Sequence, residues 1–186
     1  MRKITNHKSQ ISNGGFTLIE TLIAILLLST AIAGPLTIAS KGISSSMLAK
    51  DQVGAFFLAQ DAVEYVRFKR DTNKLEGIAW LANVGPCTSA AGDATCQIDS
   101  IQDTVTSCGA QPCQTLKYDS TNKFYTYASP NGSSIAETPE RYIRTIKIVT
   151  PVGTNTDEAS LEVKVEWRGQ NGITRNVVVR ENLFDW

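Results

Sequence analysis

The sequence predicts an α+β protein in which a long N-terminal helix is followed by an antiparallel sheet that it covers. Three observations support this fold class: an apolar run near the N-terminus, an amphipathic helical pattern directly after it, and strict alternation of apolar and polar residues in the C-terminal part. They divide the chain into five regions: a basic leader (1–15), an apolar helix (16–40), its amphipathic continuation (41–71), a cysteine-containing loop region (72–115) and the sheet (116–186).

The first helix is predicted from 20 uncharged residues between Thr21 and Ser40. At about 1.5 Å of rise per residue, a helix of this length crosses the hydrocarbon core of a bilayer. Three interpretations compete: an uncut anchor, an anchor whose leader is cut at Gly15, and a secretory signal with the small-residue site Ala31-Ile32-Ala33. Glu20, which weakens an ordinary signal, and the continuation of the helical pattern beyond the small-residue site favour an anchor.

The second half of the helix is predicted from one apolar stripe within residues 48–70. At intervals of 100° per residue, Phe56 and Val63 flank this stripe, which we expect to pack on the sheet. Its members are Leu48, Ala55, Ala59, Ala62 and Val66. Between the two halves lie Gly34, Pro35 and Gly42, and we expect the helix to break there, because proline removes a backbone donor and glycine loosens a helix.

The C-terminal region is predicted to form an antiparallel meander. The runs "LKYD" and "KFYTY" indicate a hairpin, "RYIRTIKIVT" is a further strand, and "SLEVKVEWRG" alternates apolar and polar residues. Asn171-Gly172 then predicts a turn into the last strand, "ITRNVVVREN". Short connections between consecutive strands favour a sheet with one buried face, which the helical stripe covers.

Charge and histidine content exclude several classes of protein. The chain has 18 basic and 18 acidic residues, and three of the basic ones lie in the leader, so the remainder has 15 against 18 and a formal charge of −3. Proteins that bind polyanions usually have the opposite balance. The only histidine, His7, lies in the leader, so the rest of the chain has no histidine triad or imidazole metal ligand. We therefore expect a protein that is not an enzyme and uses no metal or other cofactor.

Four cysteines lie close together, at Cys87, Cys96, Cys108 and Cys113. No pair has the CxxC spacing of a zinc site, and behind a membrane-targeting segment an even number of cysteines indicates two disulfides in an oxidising compartment. The four residues allow three pairings, of which Cys87–Cys96 with Cys108–Cys113 is the simplest.

The stretch "GGFTLIETLIA" resembles the cleavage and methylation signal of type IV prepilins and of the pseudopilins of type II secretion. The resemblance implies that a prepilin peptidase removes the leader after the pair Gly14-Gly15 and that Phe16 becomes the N-methylated first residue. Strict similarity covers about 25 residues, while the order of long helix and antiparallel sheet agrees over the whole chain.

The resemblance also implies a role for the unexpected carboxylate. Cleavage after Gly15 creates an ammonium group at the end of the apolar helix, and a paired carboxylate offsets much of the cost of placing that charge in lipid. Glu20 would then neutralise the N-terminus of a neighbouring subunit and set the register of assembly. The alternative is that Glu20 pairs with its own N-terminus or lies among lipid headgroups.

Two features depart from the family pattern. Pro35 would be residue 20 of the mature chain, slightly earlier than the proline usual in the family, and the C-terminal segment has no disulfide. Adhesive roles that depend on such a disulfide loop therefore do not carry over to this chain.

The resulting hypothesis is a structural subunit, major or minor, of a type IV pilus or related filament. It would lie in the cytoplasmic membrane with its C-terminal domain outside before it joins a cell-surface or envelope filament. Its partners would be other copies or related pilins, the peptidase, a membrane assembly platform and the lipid bilayer. The alternatives are a type II secretion pseudopilin and a membrane-anchored binding or sensor module. DNA binding is not expected, because the basic residues Arg67, Lys69 and Arg70 complement a helix C-terminus.

Apolar residues on the other side of the amphipathic helix support a filament. Val53, Phe57 and Phe68 lie opposite the sheet-facing stripe among charged residues. In a monomer they would face water, and scattered apolar residues on a protein surface are normal. In a filament they would instead pack against neighbouring helices. We expect all three to be subunit contacts.

Overall fold

A computed structural model describes residues 15–127, 141–169 and 172–186. The leader as far as Gly14, and Asn171 of the predicted last turn, lie outside the described residues. The chain divides into two compact units, Met1–Ser46 and Met47–Trp186. The second unit confirms the predicted α+β class, with helix on an antiparallel sheet.

Helix α1 extends from Leu18 to Glu76. The predicted break is wrong, because Gly34, Pro35 and Gly42 all lie inside this helix. Proline removes only one amide donor from the ladder of helical hydrogen bonds. Two residues later, the Thr37 hydroxyl lies 2.5 Å from the Ala33 carbonyl oxygen and 3.0 Å from that of Gly34, and these contacts support the turn that contains the proline.

Eight strands follow α1 in the described residues. A 3₁₀ helix at Ala82–Cys87 precedes the first of them. The strands are β1 (Thr88–Ser89), β2 (Cys96–Asp99), β3 (Thr104–Ser107), β4 (Thr115–Asp119), β5 (Phe124–Thr126), β6 (Tyr142–Val149), β7 (Glu158–Arg168) and β8 (Thr174–Phe184).

Strand β6 organises the sheet. Along one edge it pairs antiparallel with β7 over its whole length, and β7 in turn pairs antiparallel with β8. Along the other edge it is shared by β4, β2 and β1, of which β1 runs parallel to it. The predicted hairpin β4–β5 and the run β6–β7–β8 are confirmed. The simple meander is not, because three segments from earlier in the chain add to the second edge of β6.

The region 72–115 has more regular structure than its composition suggested. Strands β2 and β3 form an antiparallel pair within it, and Cys96 of β2 faces Ile146 of β6. Both disulfides of the simplest pairing are present, Cys87–Cys96 and Cys108–Cys113. Cys87 and Cys96 are fully buried, so this disulfide lies within the core.

The core lies between the second half of α1 and one face of the sheet. From the helix, Ala55, Ala59, Ala62 and Val66 are fully buried, as the stripe predicts. The sheet contributes alternate residues of its long strands: Ile146, Ile148, Leu161, Val163, Val165 and Trp167. Val63 is also buried as predicted, but Leu48, at the start of the stripe, is only half-buried.

The prediction that Phe56 faces the sheet is wrong, because 45% of this residue is exposed. The buried residues of the helix extend about 80° to either side of Ala55, with Val63 near one limit and Tyr65 near the other. Phe56 lies about 100° from Ala55 and falls just outside this arc. One residue step around the helix therefore separates a core position from the surface.

A buried arginine ties the helix to the sheet. Arg144 of β6 is 1% exposed. Its Nη1 donates to the Leu58 carbonyl oxygen at 2.8 Å and to Oδ2 of Asp61 at 2.7 Å. Its Nη2 donates to the Ile98 carbonyl oxygen at 2.5 Å. One guanidinium thus joins α1, β2 and β6.

Candidate processing and assembly segment

The residues on both sides of the expected cleavage point are non-helical. Gly15, Phe16 and Thr17 precede α1, which begins at Leu18. Apart from its chain neighbours, none of the described residues comes within 4 Å of the position that a Cβ of Gly15 would take, and 81% of Phe16 is exposed. The bond between Gly15 and Phe16 is therefore accessible in the structure, outside the hydrogen-bond ladder of the helix.

Thr17 caps the helix. The Glu20 amide donates to the Thr17 carbonyl oxygen at 3.0 Å and lies 3.3 Å from Thr17 Oγ1. The segment Thr17-Leu18-Ile19-Glu20 has the T-x-x-E pattern of a capping box, in which a threonine accepts the amide of the third helical residue. The role of Thr17 as a cap was not predicted from the sequence, although the spacing of Thr17 and Glu20 contains the signal.

Within the described part of the first unit, no other segment covers the apolar half of the helix. Leu18, Ile23, Leu27 and Leu36 are each more than half exposed. Among the described residues, α1 is the one helix long and apolar enough to cross a membrane, and this region lies near the N-terminus, where signal sequences pass the same test. The apolar half has the length and composition of a membrane-crossing segment.

Several hydroxyl groups in this apolar half form hydrogen bonds within the helix. Thr21 donates to the Leu18 carbonyl oxygen at 2.8 Å, and Ser29 donates to that of Ile25 at 2.7 Å. Thr30 lies 3.1 Å from the Leu26 carbonyl oxygen. Local bonds of this kind allow serine and threonine to enter lipid without an unpaired hydroxyl.

The second unit exposes the apolar residues that we expected at subunit contacts. Val53 is 54% exposed, Phe57 66% and Phe68 60%. Val53 and Phe57, with the exposed Phe56, border a shallow apolar groove of about 350 Å³. The groove is lined by Ala49, Gln52, Val53, Phe56, Phe57 and Val177. Phe68 is not among these residues, so the three predicted contacts do not form a single site.

Several titratable groups in the second unit join the helix to the loops and the sheet. Tyr65 donates to Asp103 at 2.9 Å, and Lys69 Nζ lies 2.7 Å from the same carboxylate. Burial, followed by this hydrogen bond, raises the pKa of Tyr65, while the bonds from Lys69 and Tyr65 lower the pKa of Asp103. The phenol of Tyr142 donates to the Asp51 carbonyl oxygen at 3.1 Å, and burial raises its pKa to about 12.

No cluster of three or more histidine, cysteine, aspartate or glutamate side chains that could hold a metal ion occurs among the described residues. The four cysteines are consumed by the disulfides.

Comparison with known proteins identifies only the N-terminal segment. Residues 12–34 match the family described as the prokaryotic N-terminal methylation motif. No curated protein and no solved structure matches the chain. The matched range contains the expected cleavage point, the capping residue Thr17 and Glu20. The chain therefore carries the prokaryotic N-terminal methylation motif, the signature of type IV prepilins.

Proposed function

We propose that the chain is a structural subunit, major or minor, of a type IV pilus or related filament. It is made as a prepilin, cut between Gly15 and Phe16, methylated on the new amine of Phe16 and assembled through its N-terminal helix. The single observation that carries the proposal is the match of residues 12–34 to the methylation motif. The exposed, non-helical backbone at Gly15–Thr17 supports it.

The apolar helix supports a function in assembly. Before assembly, the exposed apolar side chains of residues 18–38 contact lipid. In a filament, the same surface packs against the helices of other subunits. Burial of one leucine or phenylalanine contributes roughly 1.5–3 kcal/mol, and this contribution recurs at every subunit of a filament. Adhesion of subunits then comes from apolar packing, while Glu20 sets their register.

The proposal assigns no catalytic activity to the chain. The titratable groups described above, Tyr65, Asp103 and Tyr142, have partners that fasten α1 to the loops and the sheet. The only histidine lies in the leader, which the proposed cleavage removes.

The decisive test is the N-terminus of the protein recovered from membranes and from sheared filaments. We expect N-methylated phenylalanine at position 16, and Gly15→Leu should leave the full-length precursor in the membrane. Recovery of the mature chain in sheared surface filaments supports a pilus subunit. A mature chain that begins at Gly34 would instead establish a secretory signal and overturn the proposal.

The role of Glu20 is tested separately with Glu20→Gln. Glutamine serves as well as glutamate at this position of a capping box, so the substitution removes the charge and keeps the cap. Membrane levels should be unchanged, because an apolar segment inserts at least as well without a charge. Incorporation into filaments should fall sharply. Normal incorporation of Glu20→Gln would show that the carboxylate does not set the register.

A further inference from the structure

We propose that Thr17 is a positioning residue for leader removal: its side chain fixes where α1 begins and so keeps the Gly15–Phe16 bond outside the helix. This inference rests on the proposed function, because it concerns the same cleavage. It assigns Thr17 a task distinct from that of Glu20, whose carboxylate acts after the leader has gone.

The contacts place Thr17 at the N-cap. The amides of Glu20 and Thr21 donate to its carbonyl oxygen at 3.0 and 3.2 Å, and the Glu20 amide also faces its hydroxyl oxygen. An N-cap residue is the last with non-helical backbone, so the residues before it leave the helix. The expected cleavage point lies one residue upstream of this boundary.

Cleavage requires that the Gly15–Phe16 bond lie outside the helix. In extended backbone the carbonyl and amide groups on both sides of a bond are free to pair with an enzyme, as in the recognition of added strands. If α1 began one turn earlier, the Gly15 carbonyl would instead accept the Ile19 amide within the helix. The glycines at positions 14 and 15 oppose such an extension through their low helix propensity, and the Thr17 cap opposes it from the other side.

The reaction itself is a peptide hydrolysis. One water molecule is consumed and the carbon–nitrogen bond between Gly15 and Phe16 breaks. Gly15 keeps a carboxylate and Phe16 gains the amine. Thr17 takes no part in these bond changes, because it acts only on the conformation of the backbone that the peptidase binds.

The experiment measures the rate at which full-length protein is converted to the mature chain in membranes that contain the peptidase. Thr17→Val keeps the shape of the side chain but removes the hydroxyl acceptor, and we expect conversion to slow by about threefold to fivefold, within the range that loss of an N-cap produces. Thr17→Ser and Thr17→Asn, which preserve capping, should be converted within about twofold of the wild-type rate.

Thr21→Val is the matched control. Its hydroxyl lies in the same helix but bonds the Leu18 carbonyl oxygen rather than a free amide. The variant should be converted at the wild-type rate. The amount of each precursor in the membrane is measured alongside, and Thr17→Ala provides a second uncapped variant if Thr17→Val inserts poorly.

The outcomes separate this inference from the proposed function. If the wild-type protein is not cut between Gly15 and Phe16, the proposed function fails. If it is cut there and Thr17→Val is cut equally fast, the capping role is overturned and the proposed function stands. Slow conversion of Thr17→Asn together with Thr17→Val would also overturn it, because the peptidase would then be recognising threonine itself.

Discussion

Arg144 shows how one polar residue fixes the packing of this fold. It is the largest of the fully buried side chains among the described residues. Its guanidinium donates buried hydrogen bonds to the backbone carbonyls of Leu58 and Ile98. Its partner Asp61 keeps 43% of its side chain in water, which screens their attraction. The two carbonyl bonds, which lie in the buried interior, therefore contribute more to stability than the ion pair with Asp61.

We expect Arg144→Met to lower the free energy of unfolding of a soluble fragment that begins at Met47 by about 2–3 kcal/mol. Methionine fills much of the volume but removes the guanidinium donor from the Ile98 carbonyl and one of the donors from the Leu58 carbonyl, which lies inside α1. Arg180→Met is the matched control, because Arg180 makes an exposed ion pair with Glu162. Its effect in urea denaturation should stay below about 1 kcal/mol. Equal effects of the two substitutions would contradict this account.

Tyr142 predicts a loss of stability at alkaline pH. Burial raises its pKa from 10.0 to about 12, so the folded state favours the neutral phenol. The stabilisation is complete below pH 10, where the unfolded tyrosine is also neutral, and it is lost as the pH rises toward 12. Tyr142→Phe should lower stability at neutral pH, through loss of the bond to Asp51, but make its decline between pH 10 and 12 shallower. Chemical denaturation at several pH values measures both effects, and an unchanged slope would contradict the assignment.

At the scale of the element, the observed burial of α1 replaces the prediction that Phe56 packs on the sheet. Phe56 is 45% exposed and Phe57 66%, whereas Val63 is 2% exposed. Val63→Ser should destabilise the soluble fragment by about 2–4 kcal/mol, because it leaves a cavity and buries a hydroxyl. Phe56→Ser and Phe57→Ser should each change its stability by less than about 1 kcal/mol.

The same substitutions, made in the full-length protein, test the proposed subunit contact. Phe57→Ser should reduce incorporation into filaments while the precursor is still processed normally. Incorporation at the wild-type level would remove Phe57 from the interface. A strongly destabilised Phe57→Ser fragment would instead show that the helix packs on the sheet with a different face.

Elements were predictable from the sequence where their own residues specify them. Strand β7 alternates apolar and polar residues, and the burial of its residues alternates in the same way. Strands β2 and β3 were missed because they are four residues each and lie in a stretch rich in threonine, serine and cysteine. Their place in the sheet depends on β6, about 50 residues further along the chain, and no local pattern encodes that partnership.

The N-terminal segment was predictable because its motif, unlike the pairing of β2 with β6, is local in sequence. Its cleavage point and carboxylate lie within a few consecutive residues, so the sequence itself contains the motif. The break at Gly34-Pro35 was predicted from the preferences of single residues, which the rest of a long apolar helix outweighs. The boundary at Phe56 was missed because the width of the buried arc depends on how closely the sheet approaches the helix.

At the scale of the whole molecule, the two disulfides allow predictions about the oxidation state of the cysteines and about stability. Alkylation and mass spectrometry of native protein should detect no free thiol among the four cysteines. Replacing Cys87 and Cys96 by alanine should destabilise the soluble fragment more than replacing Cys108 and Cys113, by about 1 kcal/mol or more. The two disulfides span 9 and 5 residues, so their chain-entropy contributions are similar. The difference comes from the core position of the first, and equal effects would contradict it.

The sharing of one edge of β6 by three earlier strands has a consequence for biogenesis. If the second unit is exported in chain order behind the membrane helix, β1, β2 and β4 reach the far side of the membrane before β6, the strand that holds them together. Until Val149 has crossed, these segments lack their common partner β6, although β2 and β4 can pair locally with β3 and β5. Contacts so distant in sequence form slowly. The two short cysteine loops need no such partner and are free to close at once. An oxidase at the exit site would therefore crosslink both loops before the sheet has assembled, and a chaperone there would bind a chain with closed loops and an unfinished sheet.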